Sequence, residues 1–459
     1  MTCCHGTGRR LRKSPQTSSP PEQTPRSTPD AYREARLAAA LENAPADAVP
    51  HRALADLRVE QGRLGEAIAL SRRALQLDRE SPVSYAHLGA MLMSARRPQA
   101  ALDLFQQALT REPALIEARS ALASALCALD RYEEALPHYR IAYRQQPANN
   151  DARYMEALAM LALGDYRNGW RKHEVRWYAS LGASSRAVLD DPMWRGEPGI
   201  KGRTLLLHAE QGLGDTIQFV RYVPMVVALG ARVVLSVPKS LAPLLDGRFG
   251  IERLVPYGET LPPFDLHCSL MSLPRVFRTE VETIPADVPY VTAAPDRVAA
   301  WADRLGPRDG RRRIALTWSG SKAVWNRAVA LERLAPLLDR PDCVFHVAQT
   351  EISQVDRDAM ARWPALVDHS ATLTDFGETA ALLAGMDVVL SVDTALAHLA
   401  GAMGLTAWTM LPFGCDYRWM RHTPVTPWYP TMRLFRQPAF DDWAGVVAAV
   451  NAALDGPAA

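Results

Sequence analysis

The chain has 459 residues, 48% of them hydrophobic and 22% charged, with a formal net charge of +2. That is an ordinary globular composition, long enough for two to four domains, and so balanced a charge gives no drive toward nucleic acid or an anionic membrane. No stretch reaches the ~18 uncharged apolar residues of a membrane-crossing helix, so no transmembrane segment is expected, and the basic N-terminus (Arg9, Arg10, Arg12, Lys13) lacks the apolar run of a signal peptide.

Residues 1–30 are rich in Ser, Thr, Pro and Arg and are expected to be a disordered tail. From 31 to 178 the sequence repeats with a period of 34: Ala40-Leu41, Ala74-Leu75, Ala108-Leu109 and Ala142-Tyr143 each precede a helix stop (Pro45, Arg79, Pro113, Pro147). Ala67, Ala101, Ala135 and Gly169 keep the same register, as do Leu54, Leu88 and Leu122. So do the turns Gly62-Arg63-Leu64, Arg96-Arg97-Pro98, Asp130-Arg131-Tyr132 and Gly164-Asp165-Tyr166. Small residues at fixed places let paired helices pack closely, and the pattern resembles the tetratricopeptide repeat. It amounts to a leading half repeat, three full repeats and a fourth that degenerates after Trp170. Such an all-α superhelix presents a concave face to a protein partner or an acceptor. The plainer reading is that the array only pads or orients the C-terminal region.

Residues 179–202 carry turn formers without periodicity and read as a linker, with Trp194 as a packing anchor. From 203 the pattern changes to alternating strands and helices. Strands are predicted at 204–210, 232–238, 252–257, 265–270 and 288–292, then at 313–320, 343–349, 366–370, 387–393 and 406–412. Each series reads as a doubly wound parallel sheet, and two such sheets leave a ligand cleft between their carboxyl edges.

Four stretches at those edges carry candidate chemistry. Leu205–Leu207 run into the turn Glu210-Gln211-Gly212-Leu213-Gly214-Asp215, with a helix predicted from Thr216. Ile217 stands where a dinucleotide fingerprint needs its third glycine, and an acid stands where a pyrophosphate would sit, which argues against NAD or FAD. Asp215 with Gln218 suits a capping pair, and Asp215 suits an acid/base role; the two are compatible. The second sheet opens on Ser319-Gly320-Ser321-Lys322 and Asn326-Arg327, hydroxyls and cations that suit a phosphate or merely a solvated loop. Gln349 ends the next strand, where it could read a base or ribose or cap a turn. Asp393-Thr394 break a buried strand before a small-residue helix carrying His398, a place for a diphosphate or for a capped helix with a core histidine. No metal-ligand cluster is present, and the six cysteines lack metal spacing; they read as buried thiols in a reducing compartment.

EQGLGDTIQFVRYVP, the S-V-D-T-A-x-A-H-L-A-G-A-x-G block, LPF-x-x-D-x-RW and WYPTMRLFRQ together resemble bacterial proteins that fuse tetratricopeptide repeats to a heptosyltransferase-like, glycosyltransferase family 9-type domain. The resemblance covers nearly the whole chain after residue 31. It implies a multidomain chain in which an all-α repeat superhelix precedes an α/β GT-B fold of two Rossmann-like halves. The acceptor half would span 203–295, with Gln211, Gly212 and Gly214 in the acceptor-side turn. The donor half would span 296–459. It implies Asp215 as catalytic base, and Ser319, Gly320, Lys322, Arg327, Gln349, Asp393, Thr394 and His398 around the nucleotide sugar. The family's Arg-Ser-x-Pro-Leu reads Arg327-Ala328-Val329-Ala330-Leu331 here.

The expected activity is therefore inverting transfer of a sugar from a nucleotide-diphospho sugar to a hydroxyl of a protein or glycan, with no cofactor, no metal and no nucleic acid. A protein partner on the repeats and a cytoplasmic location complete that expectation. The rival is a repeat scaffold whose α/β part has lost catalysis, which Ala328 and Ala330 favour; a nucleotide-sugar epimerase is a third reading.

Overall fold

The computed structural model describes residues 29–180, 192–320 and 327–456. They fall into two compact units, one up to Arg79 and one from Glu80 onward. In the first lie α1 (Pro29–Asn43), α2 (Ala48–Glu60) and α3 (Leu64–Leu77). Asp47 caps α2 by accepting the Val49 N–H at 2.8 Å. Gly62 takes the left-handed turn at φ +74°. Ala67 and Ala74 are buried, so α3 can lie close on α2.

The second unit begins with α4 (Pro82–Ser94), α5 (Pro98–Arg111), α6 (Ile116–Ala128), α7 (Tyr132–Gln145), α8 (Asn150–Ala162) and α9 (Tyr166–His173). The period-34 small residues do what their size allows: Ala101, Ala108, Ala135 and Ala142 are fully buried. A Cβ on Gly89 would lie 2.6 Å from the Phe105 ring. The turn residues recur in the left-handed region, as Arg96 (φ +58°), Asp130 (φ +61°) and Gly164 (φ +81°).

The first sheet holds β1 (Thr204–His208), β2 (Arg232–Val237), β3 (Arg253–Pro256) and β4 (Leu266–Ser269), all parallel in the order β3-β2-β1-β4. Between them run α10 (Leu213–Phe219), α11 (Val223–Ala228) and α12 (Ala242–Leu245), and α13 (Leu273–Val276) comes after β4. Met193 bridges His267 beside β4, and the Trp194 N–H donates to the His267 carbonyl at 2.8 Å. Trp194 itself is buried.

The strand predicted at 288–292 is absent. That segment spends its donors elsewhere: Tyr290 and Val291 N–H both point to the Ala402 carbonyl (3.0 and 3.4 Å), and Pro289 has no N–H to offer a ladder.

The second sheet comes after α14 (Pro295–Leu305). It comprises β5 (Arg312–Thr317), β6 (Cys343–Val347), β7 (Val367–Asp368), β8 (Val388–Val392), β9 (Ala407–Leu411), β10 (Val425–Thr426) and β11 (Tyr429–Arg436). Its order is β10-β11-β9-β8-β5-β6-β7, parallel except for β10. The helices are α15 (Ala335–Leu338), α16 (Gln354–Met360), α17 (Phe376–Ala384), α18 (Ala395–Ala402) and α19 (Trp443–Leu454). β10 and β11 are strands that the apolar pattern does not announce.

The later repeat helices are not a detached spacer. One apolar core runs from Leu161 and Trp170 through Leu205 and Phe219 to Leu411 and Trp428. Trp170 sits at its centre, 2% exposed, edge-on to Phe219 (5.9 Å), Tyr417 (5.4 Å) and Trp428 (6.5 Å). Around it, Arg421 binds Asp130 at 2.9 Å and Glu133 at 2.8 Å, and a Cβ on Gly414 would lie 2.7 Å from the Ala128 carbonyl oxygen. Among the described residues no helix is long and apolar enough to cross a membrane.

Candidate functional site

A cavity of about 1670 Å³ opens where the carboxyl edges of both sheets meet α6 and α8. Small-ligand pockets usually hold about 300–1,000 Å³, so a sugar nucleotide would leave room to spare. Asp215, Ser319, Gly320, Arg327, Gln349, Asp393, Thr394, His398 and the turn Gln211-Gly212-Gly214 all line it. Lys322 lies outside the described residues.

The helix after β1 begins at Leu213, earlier than the sequence suggested, which places Asp215 in its first turn. Its Oδ2 accepts the Gly212 N–H at 2.8 Å. The capping pair is thus Gly212 with Asp215, and Gln218 takes a different partner: its Oε1 accepts from Arg418 Nε at 2.7 Å. Arg418 Nη2 donates to Asp215 Oδ1 and Nη1 to Asp416 Oδ1 at 2.8 Å. Burial disfavours the Arg418 cation, but Asp416, Tyr417 and Asp215 outweigh that and raise its pKa.

Across the cavity, Thr394 caps α18: its Oγ1 accepts the Leu396 N–H at 3.3 Å and meets Ser391 Oγ at 3.0 Å. Asp393 is half-buried beside it. Burial, reinforced by the charge of Asp416, pushes its carboxyl up to about 6 against the pull of Arg327. His398 does not project freely toward a ligand. Its Nδ1 is 2.9 Å from the Tyr429 hydroxyl, its ring stacks on Trp419 at 5.1 Å, and burial with Arg418 nearby holds its pKa well below the usual value, so it is neutral.

Two glycines let the pieces converge. A Cβ on Gly214 would lie 2.6 Å from His398 Cδ2, so α10 of the first sheet can rest on α18 of the second only without a side chain there. A Cβ on Gly320 would lie 2.8 Å from Thr394 Cγ2 and 3.4 Å from Arg327 Nη2, which sets the loop after β5 against the α18 cap. Gln349 is a clamp on that loop: its Oε1 accepts from Trp318 N–H at 3.1 Å, and its Nε2 donates to Ser319 Oγ at 3.1 Å and to the Glu351 carbonyl at 3.2 Å. Its amide thus caps the loop after β5.

Several contributors went unread in the sequence. Arg418 and Asp416 stood in the D-x-R-W motif, but Arg418's other carboxylate partner, Asp215, is 203 residues away. Tyr154 on α8 accepts from Gln211 Nε2 at 3.4 Å, so the repeats touch the glycine turn. Beneath it, Arg176 (1% exposed) donates to Glu210 from Nε at 2.9 Å and from Nη2 at 2.5 Å, with Ser269 Oγ donating to the same carboxylate. No sequence motif announced that ion pair. Among the described residues no cluster of three or more His, Cys, Asp or Glu could hold a metal.

A tetratricopeptide repeat family model matches residues 92–137. The chain carries such repeats. Protein FlbA of Caulobacter vibrioides is 28% identical over 322 residues, 62% of this chain and 52% of that protein; the chain thus spans about half the length of this curated relative. Among solved structures, MamA is 19% identical, covering 31% of this chain and 83% of that one at a TM-score of 0.28. YrrB, described as a TPR protein with an unusual peptide-binding site, is 20% identical over 32% of this chain and 82% of its own, TM-score 0.27. A thermophilic TPR protein of Thermus thermophilus is 15% identical over 33% of this chain and 83% of its own, TM-score 0.30.

Proposed function

We propose that the α/β region is a GT-B glycosyltransferase that moves a sugar, with inversion, from a nucleotide-diphospho sugar to an acceptor hydroxyl. The observation that carries this reading is the convergence of Asp215 and the Asp393-Thr394 helix start on one cavity, through the approach of Gly214 to His398. The carboxylate of Asp215 takes the acceptor O–H proton as the acceptor oxygen attacks the anomeric carbon. The bond from that carbon to the phosphate oxygen breaks, and its electron pair leaves with the diphosphate. The α18 N-terminus, Thr394 and Arg327 receive the anion. Asp215 accepts two hydrogen bonds here, and a carboxylate has about four acceptor positions, so an acceptor hydroxyl still has a lone pair to reach.

The volume, and its lining by α6 and α8, favour an extended polypeptide as acceptor over a small sugar. The test is sugar-nucleotide turnover by wild type and Asp215→Asn, the latter keeping an oxygen for the Gly212 N–H. Loss of about 10²–10⁴-fold in kcat, with the native circular dichroism spectrum kept at the assay temperature, supports the base assignment; equal turnover removes it.

The second reading, a scaffold that no longer turns over, draws on the engagement of both Asp215 oxygens and on Ala328 and Ala330 in the loop after Arg327. It predicts partner binding by the repeats with no sugar-nucleotide turnover at all.

A further inference from the structure

A second opening, about 520 Å³, lies away from the main cavity. On one side is the turn Ala95-Arg96-Arg97 between α4 and α5. On the other are Ala328, Ala330 and Arg333 of the segment after Arg327, with Asp441 and Trp443 at the start of α19. The repeat turns make different use of the same position. In the next repeat Asp130, at the equivalent left-handed place, is gripped by Arg421. Here the equivalent residue is Arg96, and it shares the opening with Arg97 and Arg333.

Three guanidiniums therefore face one carboxylate. Arg96, Arg97 and Arg333 are all exposed. Arg333 reaches Asp441 only at 3.9 Å. Among the described residues neither Arg96 nor Arg97 has a carboxylate partner. Like charges gathered in one groove repel, and an arginine at positive φ costs backbone energy that the glycines at Gly62 and Gly164 avoid. Two more features favour an anion. The groove opens at the N-terminus of the 14-residue α5, whose first turn has no side-chain cap. Trp443, 2% exposed, is among its lining residues, and its buried indole N–H has no partner.

We propose that this groove binds a multivalent phosphate-type oxyanion, which joins the α4–α5 turn to the segment beginning at Arg327. Guanidinium forks match phosphate oxygens bidentately, and the bound anion replaces arginine repulsion with charge-assisted hydrogen bonds across the gap. The proposal is independent of the transferase reading, because it uses no residue of the main cavity.

The probe is inorganic pyrophosphate, titrated calorimetrically into the full chain at fixed ionic strength. Wild type binds it, and its melting temperature rises on binding. Arg96→Gly and Arg333→Gln each weaken binding about tenfold or more. Arg96→Gly carries the residue that two other repeats have at this position, so its fold is secure. Asp393→Ala, which alters the main cavity alone, leaves the groove's affinity in place. Equal affinity in wild type and both arginine variants overturns the proposal. So does the absence of any binding heat at millimolar pyrophosphate, and so does loss of all binding in Asp393→Ala alone.

Discussion

Asp215 on α10 and Arg418 in the loop after β9 form a hydrogen-bonded ion pair that joins the two sheets across the main cavity. The guanidinium also holds Asp416 and the Gln218 side chain. Removing it strands two acids in a half-buried site. Arg418→Gln is expected to cost about 3 kcal/mol of stability, since breaking a buried pair leaves uncompensated charge. Chemical denaturation checks this: a midpoint within error of wild type would show that solvent already screens the pair.

Gly214 marks the tightest approach between the halves. Gly214→Ala places its methyl carbon 2.6 Å from His398 Cδ2, and His398 is fixed by Tyr429 and Trp419 and cannot swing away. Overpacking of this kind costs about 1–3 kcal/mol. A lowered melting temperature, together with altered turnover, is the expected result; a neutral substitution would mean that the two halves separate more easily than their packing implies.

Trp170 couples the repeats to the rest of the second unit. Trp170→Ala should cost about 3–5 kcal/mol, as for other buried large aromatics. Because its neighbours belong to three regions, limited proteolysis should cut between the repeats and β1 in the variant before it cuts in wild type. Unchanged protection would show that Arg421 and Gly414 suffice to hold the dock.

Acid should destabilise the fold in a defined window. Burial, with the partner imidazole, brings both His208 and His346 down to about 4, whereas an unfolded histidine titrates near ~6.5. Their contribution is fully present above about 6.5 and is lost as pH falls toward 4, because only the unfolded chain takes up the proton readily. Asp393 has the opposite sign: raised to about 6, it favours folding most at low pH and loses that contribution as pH rises through 6. Asp393→Asn should therefore steepen the fall in melting temperature between pH 6.5 and 4. A slope unchanged from wild type would show that Asp393 is not the opposing group.

Much of the architecture was legible because it rests on local periodicity. The 34-residue register needs small residues where helices touch, and Ala101, Ala108 and Ala135 are buried where the pattern put them. Apolar runs such as Leu205–Leu207 lie in a parallel strand. β11 escaped notice because Pro430 interrupts it and its burial is irregular; its ladder with β9 starts only at Met432, past the proline. The segment 288–292 looked like a strand, yet its donors go to the end of α18.

In the site, the sequence located the chain positions but not their partners. Gln349 clamps a loop, and Asp215 is tied to Arg418, because pairings between distant segments are set by packing that no local pattern encodes.

The most direct measurement is calorimetric titration of ADP, UDP, GDP and dTDP into wild type and Arg327→Ala, which removes a cation lining the main cavity. The account predicts that one of them binds wild type at micromolar concentration and that the variant weakens it by about tenfold or more, the change expected when a hydrogen bond to a charged group is lost. No binding of any diphosphate at millimolar concentration would contradict the transferase reading and leave the repeats as the functional part.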